Sequence, residues 1–139
     1  MYRILAIDYG EKNIGLALSD PMRMFAKPFI TLQNKGFESI CHELKLIIRE
    51  QNVEKIILGL PLSVAGLDTN KTKEVRQFFQ NLSESIDKPI ILWDERYTTC
   101  DAKEILINKG LSIKESKKVI DQTAAALLLK NYLEVNKNA

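Results

Sequence analysis

The sequence predicts an α/β protein built on a mixed five-stranded sheet with helices on both faces. The chain of 139 residues is 45% hydrophobic, which suits a single domain spanning 1–139 with a substantial core. Short apolar runs typical of buried strands alternate with longer segments whose apolar residues recur at helical spacing. Their order, βββαβαβαα, begins with a meander and continues through crossover connections, which place helices on both faces.

The first three strands are predicted near the start of the chain. "YRILAIDY" at 2–9 is apolar on both faces, which indicates a central strand. "GEKN" is a turn signal, so "IGLALSD" at 14–20 is expected to pair with the first strand as a hairpin. "AKPFITL" at 26–32 is the third strand, and Pro28 favours an edge position because proline cannot donate to the strand ladder.

The central part of the chain alternates between helix and strand. The first helix is indicated by an apolar stripe at Phe37, Ile40, Cys41, Leu44, Ile47 and Ile48. "VEKIILGLP" at 53–61 is a buried strand, and the polar loop "SVAGLDTN" follows it. The second helix has its apolar stripe at Val75, Phe78, Phe79, Leu82 and Ile86. "KPIILW" at 88–93 is the fifth strand.

Two helices are predicted to close the chain. "TTCDAKEILINKG" begins at a capping hydroxyl, Thr98, and ends at Gly110. "KKVIDQTAAALLLKNYLEV" is the longest helix, and "SIKE" just before it resembles a capping box.

Composition excludes several classes of protein. The formal net charge is only +2, so any nucleic-acid binding must come from a local patch. The two cysteines, Cys41 and Cys100, lie far apart, which favours reduced thiols and a cytoplasmic location. No signal peptide is visible, and no apolar run approaches the roughly 18 residues that a membrane span requires.

Asp8 is the first candidate site residue, at the end of the first strand. The residues before it in that strand, from Ile4 to Ile7, are all apolar, so the strand has no polar face to receive it. A buried carboxylate is costly unless something pairs with it. Asp8 is therefore either a metal ligand or an acid that is hydrogen-bonded to the turn "YGEKN".

Asp121 is the second candidate. It shares one helical stripe with Ala124, Ala125, Leu128 and Tyr132. These small and apolar residues suit packing on a sheet, so the helix is expected to direct the carboxylate inward. The alternative is an acid that complements the helix dipole, although such an acid normally faces solvent.

A third acid is expected in "WDERYTT", directly after the fifth strand, where open α/β sheets place their sites. Successive strand residues face opposite ways, so only one of Asp94 and Glu95 can point at a given site. The two acids can instead form a surface ion pair with Arg96.

Three carboxylates from distant segments would then converge at one edge of the sheet. Two such charges about 4 Å apart repel by roughly 4 kcal/mol at an effective dielectric of about 20. Without a cation, one of them would be protonated. Oxygen ligands without histidine or thiolate select Mg²⁺ or Mn²⁺, and two such ions can activate water against a phosphodiester.

Four motifs carry a resemblance to a known family: "AIDYGEKNIGLALSDP", "ILGLPLSVAGLDTN", "WDERYTTCDAKEIL" and "VIDQTAAALLLKNYLE". They are similar, nearly end to end and in the same order, to the motifs of the YqgF (RuvX) family. Its members are small RNase H-like proteins described as Holliday junction resolvases and as nucleases that mature the 5′ end of pre-16S rRNA. The resemblance implies an RNase H-like fold, which agrees with the predicted order of elements.

The resemblance also implies that Asp8, Glu95 and Asp121 are the metal-binding and catalytic acids. Better-known resolvases of this superfamily carry an acid at the end of the fourth strand, where this chain has Gly59, Leu60 and Pro61. The missing carboxylate must then come from the fifth strand, and neighbouring strands lie about 4.8 Å apart. Glu95 is preferred to Asp94 because its side chain is longer.

Further residues near these motifs are predicted to bind the substrate. They are Gly10, Gly59, Pro61, Lys71, Arg96, Thr98 and Lys118. The glycines and the proline would allow a substrate strand to approach the backbone, or they merely end strands and turn the chain. The charged residues and Thr98 would contact phosphates, although Thr98 can also serve only as a helix cap and exposed lysines usually bind nothing.

The favoured function is a metal-dependent nuclease that hydrolyses phosphodiester bonds in structured nucleic acid. The resemblance implies processing of pre-16S rRNA in ribosome biogenesis, with ribosomal precursor particles as partners, or resolution of branched DNA. A monomer and a homodimer both remain open, and a junction substrate would favour the dimer. A ribosomal binding factor that does not cut is an alternative. An actin-like phosphotransferase would need two such domains, and 139 residues hold one.

Overall fold

The computed structural model describes residues 1–98 and 113–136, with side chains for residues 1–96 and 121–136. The strands are β1 (Arg3–Asp8), β2 (Asn13–Ser19), β3 (Ala26–Gln33), β4 (Val53–Leu60) and β5 (Ile90–Asp94). The helices are α1 (Phe37–Glu50), α2 (Asn70–Ser85) and α3 (Ile113–Val135), and a 3₁₀ turn covers Glu95–Thr98.

The five strands form one mixed sheet in the order β3-β2-β1-β4-β5, as the sequence predicts. β1, β2 and β3 pair antiparallel, whereas β4 and β5 extend the sheet in parallel with β1. The edge position predicted for the third strand is confirmed. Its Pro28 stands opposite Ala17, next to a shift in the β2–β3 register.

Helices cover both faces of the sheet. Leu5 and Ile7 of β1 face α1 and α2, whereas Ile4 and Ala6 pack in the second core beneath α3. Because side chains alternate along a strand, Asp8 continues the face that α3 covers. The first acid of the predicted site therefore lies on the same side of the sheet as the helix that contains Asp121.

α3 lies close to β2 because a glycine of that strand faces the helix backbone. The predicted inward stripe is confirmed at Ala125, Leu128 and Tyr132, which are buried. A Cβ atom added to Gly15 of β2 would collide with the backbone carbonyl group of Asp121. Only a glycine lets the helix lie this close to β2 at that point.

Two predictions about the C-terminal part differ in outcome. The long helix begins at Ile113 rather than at Lys117, so it starts inside the "SIKE" segment. The helix predicted for 98–110 lies outside the described residues, apart from its first residue in the 3₁₀ turn. Within the described part of the chain, no helix has the length and apolar character needed to cross a lipid bilayer.

Candidate functional site

Asp8 stands at the carboxyl end of β1 between two glycines of the neighbouring strands. It pairs with Gly15 of β2, and because Ile7 is aligned with Leu58 in the parallel register, the next residue of β4, Gly59, is expected at the level of Asp8. Neither glycine has a side chain to fill the α3 face of the sheet. The space around the Asp8 carboxyl group is therefore open to groups from more distant parts of the chain.

Glu95 fills the space above Gly59 and reaches Asp8. A Cβ atom built on Gly59 would lie 2.5 Å from Glu95 Oε1 and 3.0 Å from its Cγ. The Glu95 side chain thus crosses β4 where that strand has no side chain, and its carboxyl group is hydrogen-bonded to that of Asp8. A carboxylate from the residue that directly follows β5 thereby reaches the position that an acid at the end of β4 would take.

The close pair of acids changes the ionisation of Asp8. Burial raises the pKa of Asp8 from 3.8 to about 7, and the charge of Glu95 and its hydrogen bond act in the same direction. The positive charge of Lys71, at the start of α2, opposes this rise in the pKa. Asp8 is therefore partly protonated at neutral pH, although the described residues place the positive charge of Lys71 nearby.

Asp121 approaches the pair from the other side. Its backbone rests on Gly15, the residue of β2 that pairs with Asp8, and its side chain is partly buried. Among the side chains that the structure describes, no three acids, histidines or cysteines stand close enough together to hold an ion. The structure thus joins Asp8 to Glu95 and places the Asp121 backbone one strand away, and the three-ligand site stays a prediction.

The donor chemistry of this pair fits a hard divalent cation. Both groups are carboxylates, the ligands that Mg²⁺ and Mn²⁺ prefer. Two carboxylates in contact repel unless a proton or a cation lies between them, and Asp8 responds with a raised pKa. A divalent ion in place of the proton would relieve the same repulsion.

Asp94, the alternative third acid, is engaged elsewhere. Its carboxylate accepts hydrogen bonds from Arg96 Nε at 2.9 Å and from Arg96 Nη2 at 2.6 Å, and this contact lowers its pKa. Arg96 Nη1 also donates to the carbonyl of Val64 at 3.4 Å, beside Gly66. The ion pair weighed from the sequence thus exists for Asp94, while Glu95 turns to the opposite face.

The other predicted substrate-binding residues surround this edge of the sheet. Gly10 lies in the β1–β2 turn, where its carbonyl accepts a hydrogen bond from Asn34 Nδ2 at 3.0 Å. The carbonyl of Pro61 accepts a hydrogen bond from the hydroxyl of Thr72. Lys71 is exposed near Asp8, whereas the side chains of Thr98 and Lys118 lie outside the described residues. Their substrate contacts stay predictions.

Two contributions to the site were not expected from the sequence. Gly15 admits α3, and Thr72 fixes the loop after β4 by closing a capping box with Thr69 while bonding Pro61. The capping box could have been found, because Thr69 precedes the α2 stripe at the right spacing. The role of Gly15 depends on which strand lies beneath α3, and no local pattern reveals it.

The raised pKa of Asp8 predicts an unusual pH dependence of stability. Between about pH 4 and pH 7 the folded protein keeps a proton on Asp8 that the unfolded chain has released. The contribution of Asp8 to the free energy of unfolding is therefore fully present below pH 3.8 and is lost as the pH rises through about 7. Thermal unfolding in EDTA, followed across this range, should show the decline.

The matched comparison is between Asp8→Asn and Asp87→Asn, since Asp87 is exposed. The pKa values of Asp94 and Asp20 are lowered, so their contributions to the free energy of unfolding increase as the pH rises. These contributions are the same in every variant and cancel in the comparison. We expect the wild type and Asp87→Asn to lose stability relative to Asp8→Asn between about pH 4 and pH 8. Parallel curves for all three proteins would contradict the assignment.

Comparison of this sequence and fold with known proteins identifies the family to which the chain belongs. Two relatives are named "Putative pre-16S rRNA nuclease". The one from Thermoanaerobacter pseudethanolicus is 40% identical over 137 residues, covering 98% of this chain and 99% of the relative. The one from Dictyoglomus turgidum is 37% identical over 132 residues, covering 95% and 94%.

The fold has a solved counterpart in "T. thermophilus RuvC in complex with Holliday junction substrate". The match has a TM-score of 0.64 and covers 99% of this chain and 97% of that chain. Because the two sequences are only 10% identical, this likeness bears on the fold alone, and it confirms the predicted RNase H-like architecture. The family model described as "RuvX: Holliday junction resolvase" matches residues 2–135. This chain therefore belongs to the RuvX family.

Proposed function

We propose that this protein is a divalent-metal-dependent nuclease that hydrolyses phosphodiester bonds beside Asp8 and acts on precursor 16S rRNA. The observation that carries the proposal is the carboxyl pair of Asp8 and Glu95, held in contact on the sheet despite its repulsion. Such a pair costs stability in the metal-free protein, which is typical of a site arranged for a ligand. The names of the curated relatives support the choice of RNA.

Asp8, Glu95 and Asp121 are the residues that would hold the ion. A divalent cation bound there would supply positive charge against the developing negative charge on the phosphate oxygens. Asp8 lies at the centre of this arrangement, since Glu95 reaches it across Gly59 and the Asp121 backbone lies against its partner Gly15. Asp121 completes the ligand set if its side chain turns toward Asp8.

Two cations at this edge of the sheet suit the phosphates of a bound strand. Lys71 is exposed and close enough to Asp8 for its charge to oppose the rise in the pKa of Asp8. Arg96 is oriented by Asp94, and 37% of its side-chain surface remains exposed to meet a phosphate. Because the whole chain has a net charge of only +2, binding would depend on such local contacts rather than on general attraction.

A panel of labelled substrates tests the proposal. It comprises an extended 5′ end of 16S rRNA, an unrelated single-stranded RNA and a four-way DNA junction, each incubated with Mg²⁺, Mn²⁺ or EDTA. We expect the wild type to cut the precursor rRNA with either metal and to cut nothing in EDTA. Faster cutting of the junction would instead identify a DNA resolvase. If the RNA is bound with no cleavage above that of Asp8→Asn, the protein is a binding factor.

A further inference from the structure

A cavity of about 240 Å³ opens on the face of β1 opposite the carboxyl pair. Its lining comes from four parts of the chain: the residue after β1, the residue after β3, the first half of α1 and one stripe of α2. The lining residues are Tyr9, Asn34, Phe37, Ile40, Glu74, Gln77, Phe78 and Asn81. Tyr9 directly follows Asp8, so the cavity and the carboxyl pair share the same edge of the sheet.

Aromatic rings form the inner part of this cavity. Phe78 is buried, with 5% of its surface exposed, and its ring centroid lies 4.5 Å from that of Tyr9 and 6.1 Å from that of Phe37. Tyr9 and Phe37 are only partly buried, so part of each ring stays accessible. Flat apolar groups can therefore stack against these rings.

Two amides on α2 present a donor beside an acceptor. Gln77 Nε2 donates to Asn81 Oδ1 at 3.0 Å, which fixes the two side chains against each other. The remaining amide atoms, Gln77 Oε1 and Asn81 Nδ2, make no hydrogen bond to any residue that the structure describes. Glu74, one turn earlier on the same stripe, adds a second acceptor.

We propose that this cavity binds one unpaired base of the strand that is cut at Asp8, an inference that rests on the proposed nuclease function. A base has two flat apolar faces and an edge on which donors and acceptors alternate, which matches the rings and the amides. A cavity of about 150 Å³ holds a benzene molecule, so 240 Å³ leaves room for a base. None of the lining residues is a lysine or arginine, and Glu74 would repel a phosphate.

The lining also favours some bases over others. Gln77 Oε1 and Glu74 are both acceptors, and adenine, cytosine and guanine carry an amino group that donates to acceptors of this kind. Uracil has no amino group and offers more acceptors than donors. The strand should therefore be single-stranded near the cut, and an amino-bearing base should be preferred at one position.

The test combines base removal with side-chain removal. A fluorescent single-stranded RNA is prepared with one abasic nucleotide at each position in turn, and its Kd is measured by anisotropy in EDTA, where cutting is not expected. For the wild type we expect one position at which base removal weakens binding about tenfold. The double variant Gln77→Ala/Asn81→Ala and the single variant Phe37→Leu should reduce that penalty to about twofold. Gln80→Ala, on an exposed part of the same helix, is the matched control and should keep the full loss of affinity, about tenfold, on base removal.

The outcomes separate this inference from the proposed function. If the wild type cuts and binds RNA but both sets of variants keep the full penalty, the cavity does not hold a base, and the nuclease assignment stands. If the wild type neither binds nor cuts any RNA or DNA, both proposals fail. A loss of the penalty in Gln80→Ala as well would point to general damage to α2 and would also overturn the inference.

Discussion

Replacing Asp8 by Asn is expected to reduce cleavage of the preferred substrate by at least about 1,000-fold, equivalent to about 4 kcal/mol of transition-state stabilisation. The amide keeps the size of the side chain but removes the charge that an ion would require. It also removes the carboxyl group that Glu95 meets across Gly59. Initial rates with saturating Mg²⁺ would measure the effect, and isothermal titration with Mn²⁺ would report the loss of metal binding independently.

The matched control is Asp94→Asn, which removes a carboxylate from the adjacent residue. Asp94 binds Arg96 rather than Asp8, so this change should release the guanidinium and raise KM several-fold while leaving Mn²⁺ binding unchanged. Thermal unfolding must show that Asp8→Asn remains folded. Activity in Asp8→Asn within tenfold of the wild type would remove Asp8 from the catalytic machinery.

Replacing Gly59 by Ala should have the second largest effect, although the change adds only a methyl group. The new Cβ would occupy a position 2.5 Å from Glu95 Oε1 and 3.1 Å from its Cδ, so the glutamate must move away from Asp8. We expect Mn²⁺ affinity and the cleavage rate to fall about 10- to 100-fold, as for other residues that orient metal ligands. Titration calorimetry and single-turnover rates would measure the two quantities.

A double-mutant cycle tests whether Gly59 acts through Glu95. Once Glu95 is changed to Ala, the added methyl group has nothing to displace, and Gly59→Ala should cost little more. Additive losses from the two changes would mean that the methyl group disturbs β4 or the substrate directly. Thermal unfolding of all three variants provides the check on folding.

Much of the fold follows from local patterns in the sequence. Pro28 predicts an edge strand because it lacks an N–H group, and β3 is at the edge. The spacing from Asp121 to Tyr132 predicts the buried face of the last helix, and three of its apolar members, Ala125, Leu128 and Tyr132, are buried. Each of these features depends on one residue type or one period, so neighbouring residues suffice to reveal it.

The details of the site depend on register and could not be predicted in the same way. Alternation allows only one of Asp94 and Glu95 to face Asp8, but the choice depends on Ile91 and Trp93 packing beneath α3. The longer side chain of Glu95 favoured it over Asp94. The space above Gly59 through which Glu95 reaches Asp8 was not foreseen. Phe78 was expected in the core and is buried there, while the cavity that it helps to line joins residues from two helices and two loop positions.

The position of α3 has a consequence for synthesis of the protein on the ribosome. The apolar side of the sheet beneath this helix, which includes Ile4, Ala17 and Ile57, is covered by residues that are translated more than 60 positions after Ile57. A nascent chain that has emerged only as far as β5 therefore displays a bare hydrophobic surface. We expect such intermediates to engage chaperones, and ribosomes that stall before residue 121 to release aggregation-prone fragments.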